Sequence, residues 1–126
     1  MIMTKEEVDT LIALDDKFQY RCSEICNILK KVNSDMKHMD TFEIGFTHVT
    51  CSGDEYWSYG GHEHHTASFP VKYLYMPNSD IQAIVNEELR QKEEAYEASR
   101  RRREAEELAK YQELKAKYEG RFVHEF

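Results

Sequence analysis

The C-terminal third of the chain constrains the fold most, because residues 79–119 have the pattern of one unbroken helix. A helix of roughly 40 residues would be roughly 60 Å long. The rest of the chain, about 80 residues, can cover only a fraction of that length. We therefore expect the helix to lie in water or to pack against a second copy, which favours a homodimer or higher homo-oligomer held by a coiled coil.

Local signals support this helix and predict both of its ends. Ser79 and Gln82 have the spacing of a capping box, which predicts the helix start. The hydrophobic residues fall mainly near the two ends of the helix: Ile81, Ile84, Val85, Leu89, Leu108, Tyr111, Leu114 and Tyr118. We expect Gly120 to act as the C-cap and residues 121–126 to form a short tail.

The N-terminal segment predicts an amphipathic helix. Thr4 and Glu7 are spaced as a capping box, which places the helix start at this point. Hydrophobic residues then recur every three or four positions and predict one buried stripe: Val8, Leu11, Leu14, Phe18, Cys22, Ile25, Leu29, Val32 and Met36. The pattern is lost after Lys37, where we expect the helix to end.

The segment that follows changes to a period of two, which is typical of β-strands. We expect a first strand over residues 42–49, a turn over 52–55 and an aromatic second strand over 56–59. A third alternating run covers residues 69–75. Pro70 cannot donate a ladder hydrogen bond, so this strand should lie at a sheet edge or begin near Pro70.

These segments together predict one α+β domain. Its parts are an N-terminal amphipathic helix (residues 1–39), a three-stranded antiparallel sheet (40–77), a long C-terminal helix (78–120) and a tail (121–126). So few residues remain for the core that a pocket deep enough for demanding chemistry would be difficult to form within one subunit.

The net charge of −7 is unevenly distributed. Residues 38–78 hold five acidic side chains and a single basic one, Lys72. Direct binding of nucleic acid by this region is disfavoured, because such a surface needs clustered Lys and Arg.

The cysteines and the hydropathy pattern indicate the compartment. Cys22, Cys26 and Cys51 are odd in number and form no CxxC pair, which favours a reducing environment. No apolar run approaches the roughly 20 residues of a membrane span, and charged residues begin at Lys5, where a signal peptide would be apolar. We expect a cytoplasmic protein without a membrane partner, and the sequence indicates no cofactor.

The histidine-rich run at residues 62–65 is the strongest candidate for chemistry. Residues two apart on a strand project to the same side, so His62 and His64 could share a metal ion, zinc first, with His48 or Glu63 as a further ligand. The run lacks the longer-range partner of a convincing zinc motif, which favours a solvated hairpin loop beside the glycine pair. A third interpretation places His62, His64 and His65 at a ligand surface as hydrogen-bonding or pH-sensitive groups.

Aromatic residues are unusually dense from residue 56 onward. Tyr56, Trp57 and Tyr59 fall within four positions, and more aromatic residues follow at Phe69, Tyr73 and Tyr75. Alternation prevents them from all facing one core. Either some are exposed as anchors of a binding surface, or the long helix covers the second face of the sheet.

The run Arg100-Arg101-Arg102-Arg103 does not form a stripe, because four consecutive helical residues fan over about 300°. Six glutamates between residues 93 and 107 surround it, which favours solvated or inter-helical salt bridges. The functional alternative is that Arg100, Arg101 and Arg103, with arginines of a second chain, clamp an anionic ligand such as a nucleotide or a partner's carboxylates.

Motifs of catalysis are missing from the sequence. It contains no GxSxG, no Walker-type GxxxxGK[ST], no HExxH and no GxGxxG. Cys22 and Cys26 are expected to be buried as small hydrophobes. A nucleophile at Cys51 with a nearby His is a remote alternative, so we expect a protein that is not an enzyme.

Three stretches resemble small accessory proteins encoded by bacteriophages. They are GDEYWSYGGH at residues 53–62, FPVKYL at 69–74 and the Glu/Lys/Arg-rich helix closing with YEG at 118–120. The resemblance covers residues 42–120 and transfers no functional residue. It implies a non-catalytic protein of an infected bacterial host, which counters host defence by sequestering a nucleotide-type signal or by blocking a host protein.

The leading expectation is therefore binding, with the hairpin from Tyr56 to His65 and the arginines of the long helix as the ligand site. One alternative is a metal-binding protein or enzyme centred on His62, His64 and His65. Another is a virion assembly component in which the long helix serves assembly.

Overall fold

The computed structural model describes the backbone of residues 1–124 and the side chains of residues 1–119. Its α+β architecture confirms the predicted order of N-terminal helix, three-stranded antiparallel sheet and long C-terminal helix. The elements in chain order are α1 (Lys5–Leu29), a first 3-10 helix (Ser34–His38), β1 (Thr41–Ile44), β2 (His48–Tyr56), β3 (His62–Pro70), a second 3-10 helix (Val71–Tyr75) and α2 (Asn78–His124).

The chain divides into two compact units, Met1–Glu88 and Leu89–Phe126, which we call the N-terminal and C-terminal units. The hydrophobic core lies in the N-terminal unit. It consists of Cys22, Ile25, Cys26, Leu29, Met36, Met39, Phe42, Val49, Cys51, Phe69, Tyr73, Ile81 and Val85. In the C-terminal unit the described backbone is helical, and every described side chain is exposed or half-exposed.

Helix α1 begins with the predicted capping box. The Glu7 amide donates to Thr4 Oγ1 over 3.1 Å, and the Thr4 amide donates to Glu7 Oε1 over 3.0 Å. The predicted hydrophobic stripe is buried only in its second half, from Cys22 onward, while Leu11 and Leu14 are 57% and 58% exposed. The first half of α1 therefore displays apolar side chains to solvent.

The predicted end of the first helix near Lys37 is wrong, because α1 ends at Leu29 and a separate 3-10 helix follows. Asn33 is extended, and its side-chain oxygen accepts a hydrogen bond from the Asp35 amide over 3.1 Å. This local cap competes with continuation of the helix. Met36 remains buried, so the hydrophobic period carries across the break.

The sheet has the order β1-β2-β3, with both pairs antiparallel. The predicted first strand over residues 42–49 is wrong, since it contains a hairpin turn. The Gly45 amide donates to the His48 carbonyl over 2.9 Å and closes this turn. Phe46, at the turn, is fully exposed. An apolar residue at that position continues the alternating pattern and conceals the turn.

The predicted turn over residues 52–55 is also wrong, because these residues lie within β2. The connection to β3 follows Tyr56 instead and contains Gly60, whose φ of 91° suits glycine alone. Gly53 has a different role: a Cβ atom there would lie 1.6 Å from the His38 carbonyl oxygen. Glycine within a strand here marks a close backbone approach rather than a turn.

The predicted third strand over residues 69–75 is wrong in its bounds. Strand β3 ends at Pro70, and Val71–Tyr75 forms the second 3-10 helix. The expected edge position of Pro70 is confirmed, since β3 is an outer strand of the sheet. Phe69 and Tyr73, read as alternating strand residues, stack with ring centroids 6.2 Å apart.

Arg21 of α1 joins the second 3-10 helix to the start of α2. Its guanidinium donates to the carbonyl oxygens of Tyr73 at 3.0 Å and Leu74 at 3.3 Å, and also to Met76 O. It further contacts Glu24 and Asn78, the first residue of α2. These three carbonyl groups lie outside the sheet, and Arg21 gives each of them a hydrogen-bond donor.

Helix α2 begins at Asn78, the predicted segment bound, and extends to His124. The predicted capping box of Ser79 with Gln82 is wrong, because Ser79 lies inside the helix and the Gln82 side chain contacts Lys31 and Asn86.

The predicted C-cap at Gly120 is wrong, because the backbone stays helical beyond it. The predicted tail is wrong for residues 121–124, which belong to the helix. Residues 125–126 lie outside the described part of the chain. A single glycine costs a helix only about 1 kcal/mol, which does not terminate it. Within the described residues, no helix is long and apolar enough to cross a membrane.

Candidate functional site

The tip of the β2–β3 hairpin, Tyr56–His62, is a tight turn with exposed aromatic rings. The Trp57 amide donates to the Gly61 carbonyl over 2.8 Å, and the Gly60 amide donates to the Trp57 carbonyl over 3.0 Å. A Cβ atom at Gly61 would lie 2.7 Å from the Trp57 ring. The turn is therefore closed by backbone hydrogen bonds and packed under the indole.

Two ring pairs cover this hairpin tip. Trp57 and Tyr59 stack with centroids 5.9 Å apart, and Tyr56 stacks on His62 across the strands at 5.7 Å. Even so, Tyr56, Trp57 and Tyr59 are 75%, 37% and 82% exposed. The alternative that another element buries these aromatics does not hold for the described residues. They form a small, preordered apolar surface in water.

On the core-facing side of the hairpin, five polar residues form a second feature, the histidine–carboxylate cluster: Asp35, His38, Glu55, Glu63 and His65. His65 Nδ1 lies 2.8 Å from Asp35 Oδ1, and His65 Nε2 lies 2.9 Å from Glu55 Oε2. His38 Nε2 is 3.5 Å from the same Glu55 oxygen, and Glu63 Oε2 is 3.9 Å from His65 Nε2. The rings of His38 and His65 stack at 4.6 Å.

Strand register explains why these residues meet. Gly53 pairs with His65 and Glu55 pairs with Glu63, on the face that further along the sheet buries Cys51 and other core residues. The core face thus becomes polar toward the hairpin tip. Glycine at position 53 leaves room for the first 3-10 helix, which brings Asp35 and His38 onto this part of the sheet.

The electrostatics of the cluster favour a protonated His65. The Glu55 carboxylate accepts a hydrogen bond from His65, and this is the largest effect that raises the pKa of His65 above its ordinary value. Burial lowers the pKa by less, and the Asp35 hydrogen bond and the charges of Glu63 and Asp35 add smaller increases. Two carboxylates on the two ring nitrogens stabilise the imidazolium.

The structure does not bring the predicted histidine group together. His62 and His64 project from the face of β3 opposite to that of His65, because alternate residues of a strand face opposite sides. His64 Nδ1 lies 2.8 Å from Asp54 Oδ1, and His48 Nδ1 lies 3.0 Å from Thr47 Oγ1. The run also forms a strand rather than the solvated loop that glycine neighbours suggested.

The predicted arginine site lies in the C-terminal unit, where the described contacts are within α2. Arg100 lies 3.4 Å from Glu97 and 3.9 Å from Glu104, and Arg101 lies 3.9 Å from Glu97. These pairs fit the solvated salt-bridge interpretation. Arg103 is exposed on the same helix.

The three cysteines are buried in the core, as predicted for Cys22 and Cys26. Burial raises the pKa of Cys22 to about 12, and the pKa of the Cys26 thiol is raised as well, first by its hydrogen bond to Cys51 and then by burial. Cys51 is completely inaccessible to solvent. Thiols in such surroundings are poor nucleophiles.

Sequence reasoning missed Asp35, His38 and Glu55. The turn predicted over residues 52–55 takes Glu55 off the sheet face that it shares with Glu63 and His65. Comparison with known proteins supplies no further guide, as no family model, no curated protein and no solved structure matches the chain.

Proposed function

We propose that this protein is a non-catalytic binding protein whose hairpin tip docks on a basic surface of a host protein, in the cytoplasm of a phage-infected bacterium. The observation that carries the proposal is the exposure of Tyr56, Trp57 and Tyr59 on a turn held by its own hydrogen bonds. Tyr and Trp are the usual anchors of protein interfaces. A rigid tip also loses little conformational entropy on binding.

Charge favours a protein partner over a nucleotide. Residues 38–78 carry five acidic side chains against Lys72 alone. Asp54, Glu55 and Glu63 flank the aromatic tip on the same two strands. A phosphate-bearing ligand would be repelled by these carboxylates, whereas a basic protein surface, including one that otherwise holds nucleic acid, would be attracted.

The distal part of α2 supports self-association within the same proposal. Leu108, Tyr111, Leu114 and Tyr118 recur at spacings of three and four and are 54–63% exposed. A second copy would cover this stripe as a coiled coil. The oligomer would present more than one hairpin tip and so raise the apparent affinity for a repetitive or oligomeric host partner.

The test is capture from a bacterial lysate with matched tyrosine variants. Tyr59→Ala removes a ring from the tip, and Tyr75→Ala removes an equally exposed ring, 79% against 82%, from the second 3-10 helix. We expect wild type and Tyr75→Ala to retain one basic protein in stoichiometric amount, released by moderate salt. Tyr59→Ala should retain at least about tenfold less, as for a hot-spot residue.

Two results would contradict the proposal. One is equal capture by Tyr59→Ala and wild type. The other is the absence of a captured protein together with a nucleotide that raises the melting temperature of wild type but not of Tyr59→Ala. That second outcome would assign the same tip to signal sequestration by base stacking.

A further inference from the structure

We propose that His38, Glu55 and His65 form a binding site for one divalent transition-metal ion of the zinc class. The site shares no residue with the hairpin tip or with the His62/His64 group that the sequence suggested, while Glu55 and Glu63 also contribute to the acidic charge beside the tip. It lies where the first 3-10 helix crosses the core face of β2 and β3. The proposal does not depend on the proposed function.

The donor atoms are already close enough for one ion. One nitrogen from each histidine and a Glu55 oxygen all lie within 4.8 Å of one another. Ligands that each lie about 2.1 Å from a tetrahedral zinc ion are about 3.4 Å apart. The Glu55 oxygen is 2.9 Å from His65 Nε2 and 3.5 Å from His38 Nε2. The first distance is shorter and the second slightly longer than the spacing of two zinc ligands. Binding would replace the proton between His65 Nε2 and Glu55, which passes to solvent, while the two stacked rings turn toward the ion.

The surroundings have the second shell of a metal site. Asp35 Oδ1 lies 2.8 Å from His65 Nδ1, on the ring nitrogen that points away from Glu55. A carboxylate in this position fixes the orientation of a metal-binding histidine and increases its basicity. Glu63, 3.9 Å from His65 Nε2, could take the fourth position, and otherwise water would.

Burial and donor type point to the kind of ion. The side chains of His65, His38 and Glu55 are 11%, 27% and 33% exposed, so an ion can enter while the ligands remain supported. Two imidazoles and one carboxylate favour Zn²⁺, Co²⁺, Ni²⁺ or Cu²⁺ over Mg²⁺ and Ca²⁺, which prefer oxygen donors.

Bound metal would connect three elements of the N-terminal unit. His38 belongs to the first 3-10 helix, Glu55 to β2 and His65 to β3. In the metal-free protein this crossing is held by hydrogen bonds, by ring stacking and by the burial of Met36 in the core. An ion that binds the folded state alone raises stability by mass action, so zinc would stabilise the base of the hairpin without a catalytic role.

The experiment measures metal binding to untagged, metal-free protein. Titration calorimetry with ZnCl₂ gives the stoichiometry, and Co²⁺ absorption reports tetrahedral coordination. His38→Ala and Glu55→Gln each remove a ligand. His64→Ala is the control, because His64 neighbours His65 in β3 but projects from the opposite face and contacts Asp54.

We expect one Zn²⁺ per chain for wild type and His64→Ala, with a rise in melting temperature. His38→Ala and Glu55→Gln should bind at least about 100-fold more weakly, and Asp35→Asn about 10-fold to 100-fold more weakly. Circular dichroism and the metal-free melting temperature identify any variant that fails to fold. If His38→Ala fails to fold, the metal affinities of the isosteric variants Glu55→Gln and Asp35→Asn test the proposal instead. The proposal is overturned if wild type binds no stoichiometric metal at tens of micromolar, or if His64→Ala loses binding as His38→Ala does.

Discussion

The α-carbon of Gly53 faces the carbonyl of His38 so closely that a Cβ atom at position 53 would lie 1.6 Å from the His38 oxygen. This contact sets the distance between the first 3-10 helix and β2. It thereby determines whether the His38 ring can reach His65, on which it stacks at 4.6 Å. One glycine in the middle of a strand is thus a requirement for the histidine–carboxylate cluster.

Replacing Gly53 with alanine should separate the 3-10 helix from the sheet. The added methyl group meets backbone rather than a movable side chain, so we expect a loss of about 3 kcal/mol in the free energy of unfolding, at the upper end for overpacking. Urea denaturation measures this loss. Ser68→Ala, at an exposed position of β3, is the control and should change stability by less than about 0.5 kcal/mol. Equal stability of the two variants would mean that the close approach is not rigid.

Arg21→Ala should weaken the N-terminal unit, because the Arg21 guanidinium pairs the carbonyls of Tyr73, Leu74 and Met76. Removing a charged donor from these part-buried carbonyl oxygens should lower the free energy of unfolding by about 2–3 kcal/mol. For a unit of this size the melting temperature should fall by about 10 °C or more. Arg100→Ala removes exposed pairs within α2 and should cost less than about 1 kcal/mol. Similar losses in both variants would contradict the assigned role of Arg21.

In the metal-free protein, His65 should contribute to the free energy of unfolding in a pH-dependent way. The titratable groups that face it are Asp35 and His38 of the first 3-10 helix, Glu55 of β2 and Glu63 of β3. The carboxylates, Glu55 first, raise the pKa of His65 in the folded state. Its stabilising contribution is therefore complete below the ordinary histidine pKa of about 6.5 and is lost as the pH rises through the folded value.

Two measurements check this linkage. In NMR titration the His65 ring should lose its proton above pH 6.5. The stability difference between wild type and His65→Asn should narrow as the pH is raised. A difference that grows with pH, or a His65 ring that titrates below the ordinary value, would contradict the hydrogen-bond geometry of the cluster.

Self-association should depend on the distal apolar stripe of α2. Leu114→Glu introduces a charge among Leu108, Tyr111 and Tyr118 and should shift the protein toward monomer by at least about tenfold in dissociation constant. Ala116→Glu adds the same charge on the other side of the helix and should have little effect. Sedimentation equilibrium measures both. A monomeric wild-type protein at micromolar concentration would contradict the coiled-coil expectation.

The existence and the approximate starts of the two helices were predictable because their signals are local, whereas their ends were not. The Thr4/Glu7 capping box depends on neighbouring residues and is confirmed, and α2 starts at Asn78, one residue before the Ser79 that was predicted as its cap. The strand boundaries were not predictable, because glycine and aromatic residues occur both within strands and at turns of this sheet. Gly53 suggests a turn and is a strand residue, whereas Phe46 suggests a strand and lies at a turn.

The histidine–carboxylate cluster was hidden for a related reason. His65 was recognisable, but its partners follow from register and from the position of the 3-10 helix. The error over residues 52–55 displaced Glu55 from the strand, and nothing local in the sequence places His38 or Asp35 against β3. Contacts between residues 10 to 30 positions apart, such as His65 with Glu55 and Asp35, require the correct strand pairing first.

The most direct test of the central claim, docking through the hairpin tip, is photo-cross-linking in bacterial cells. A photoreactive phenylalanine analogue replaces Tyr59 in one variant and Tyr75 in another, two positions of similar exposure in the N-terminal unit. We expect one dominant cross-linked host protein with a basic surface at position 59 and none at position 75. Cross-linking that is equal at the two positions, or that occurs at position 75 alone, would contradict it.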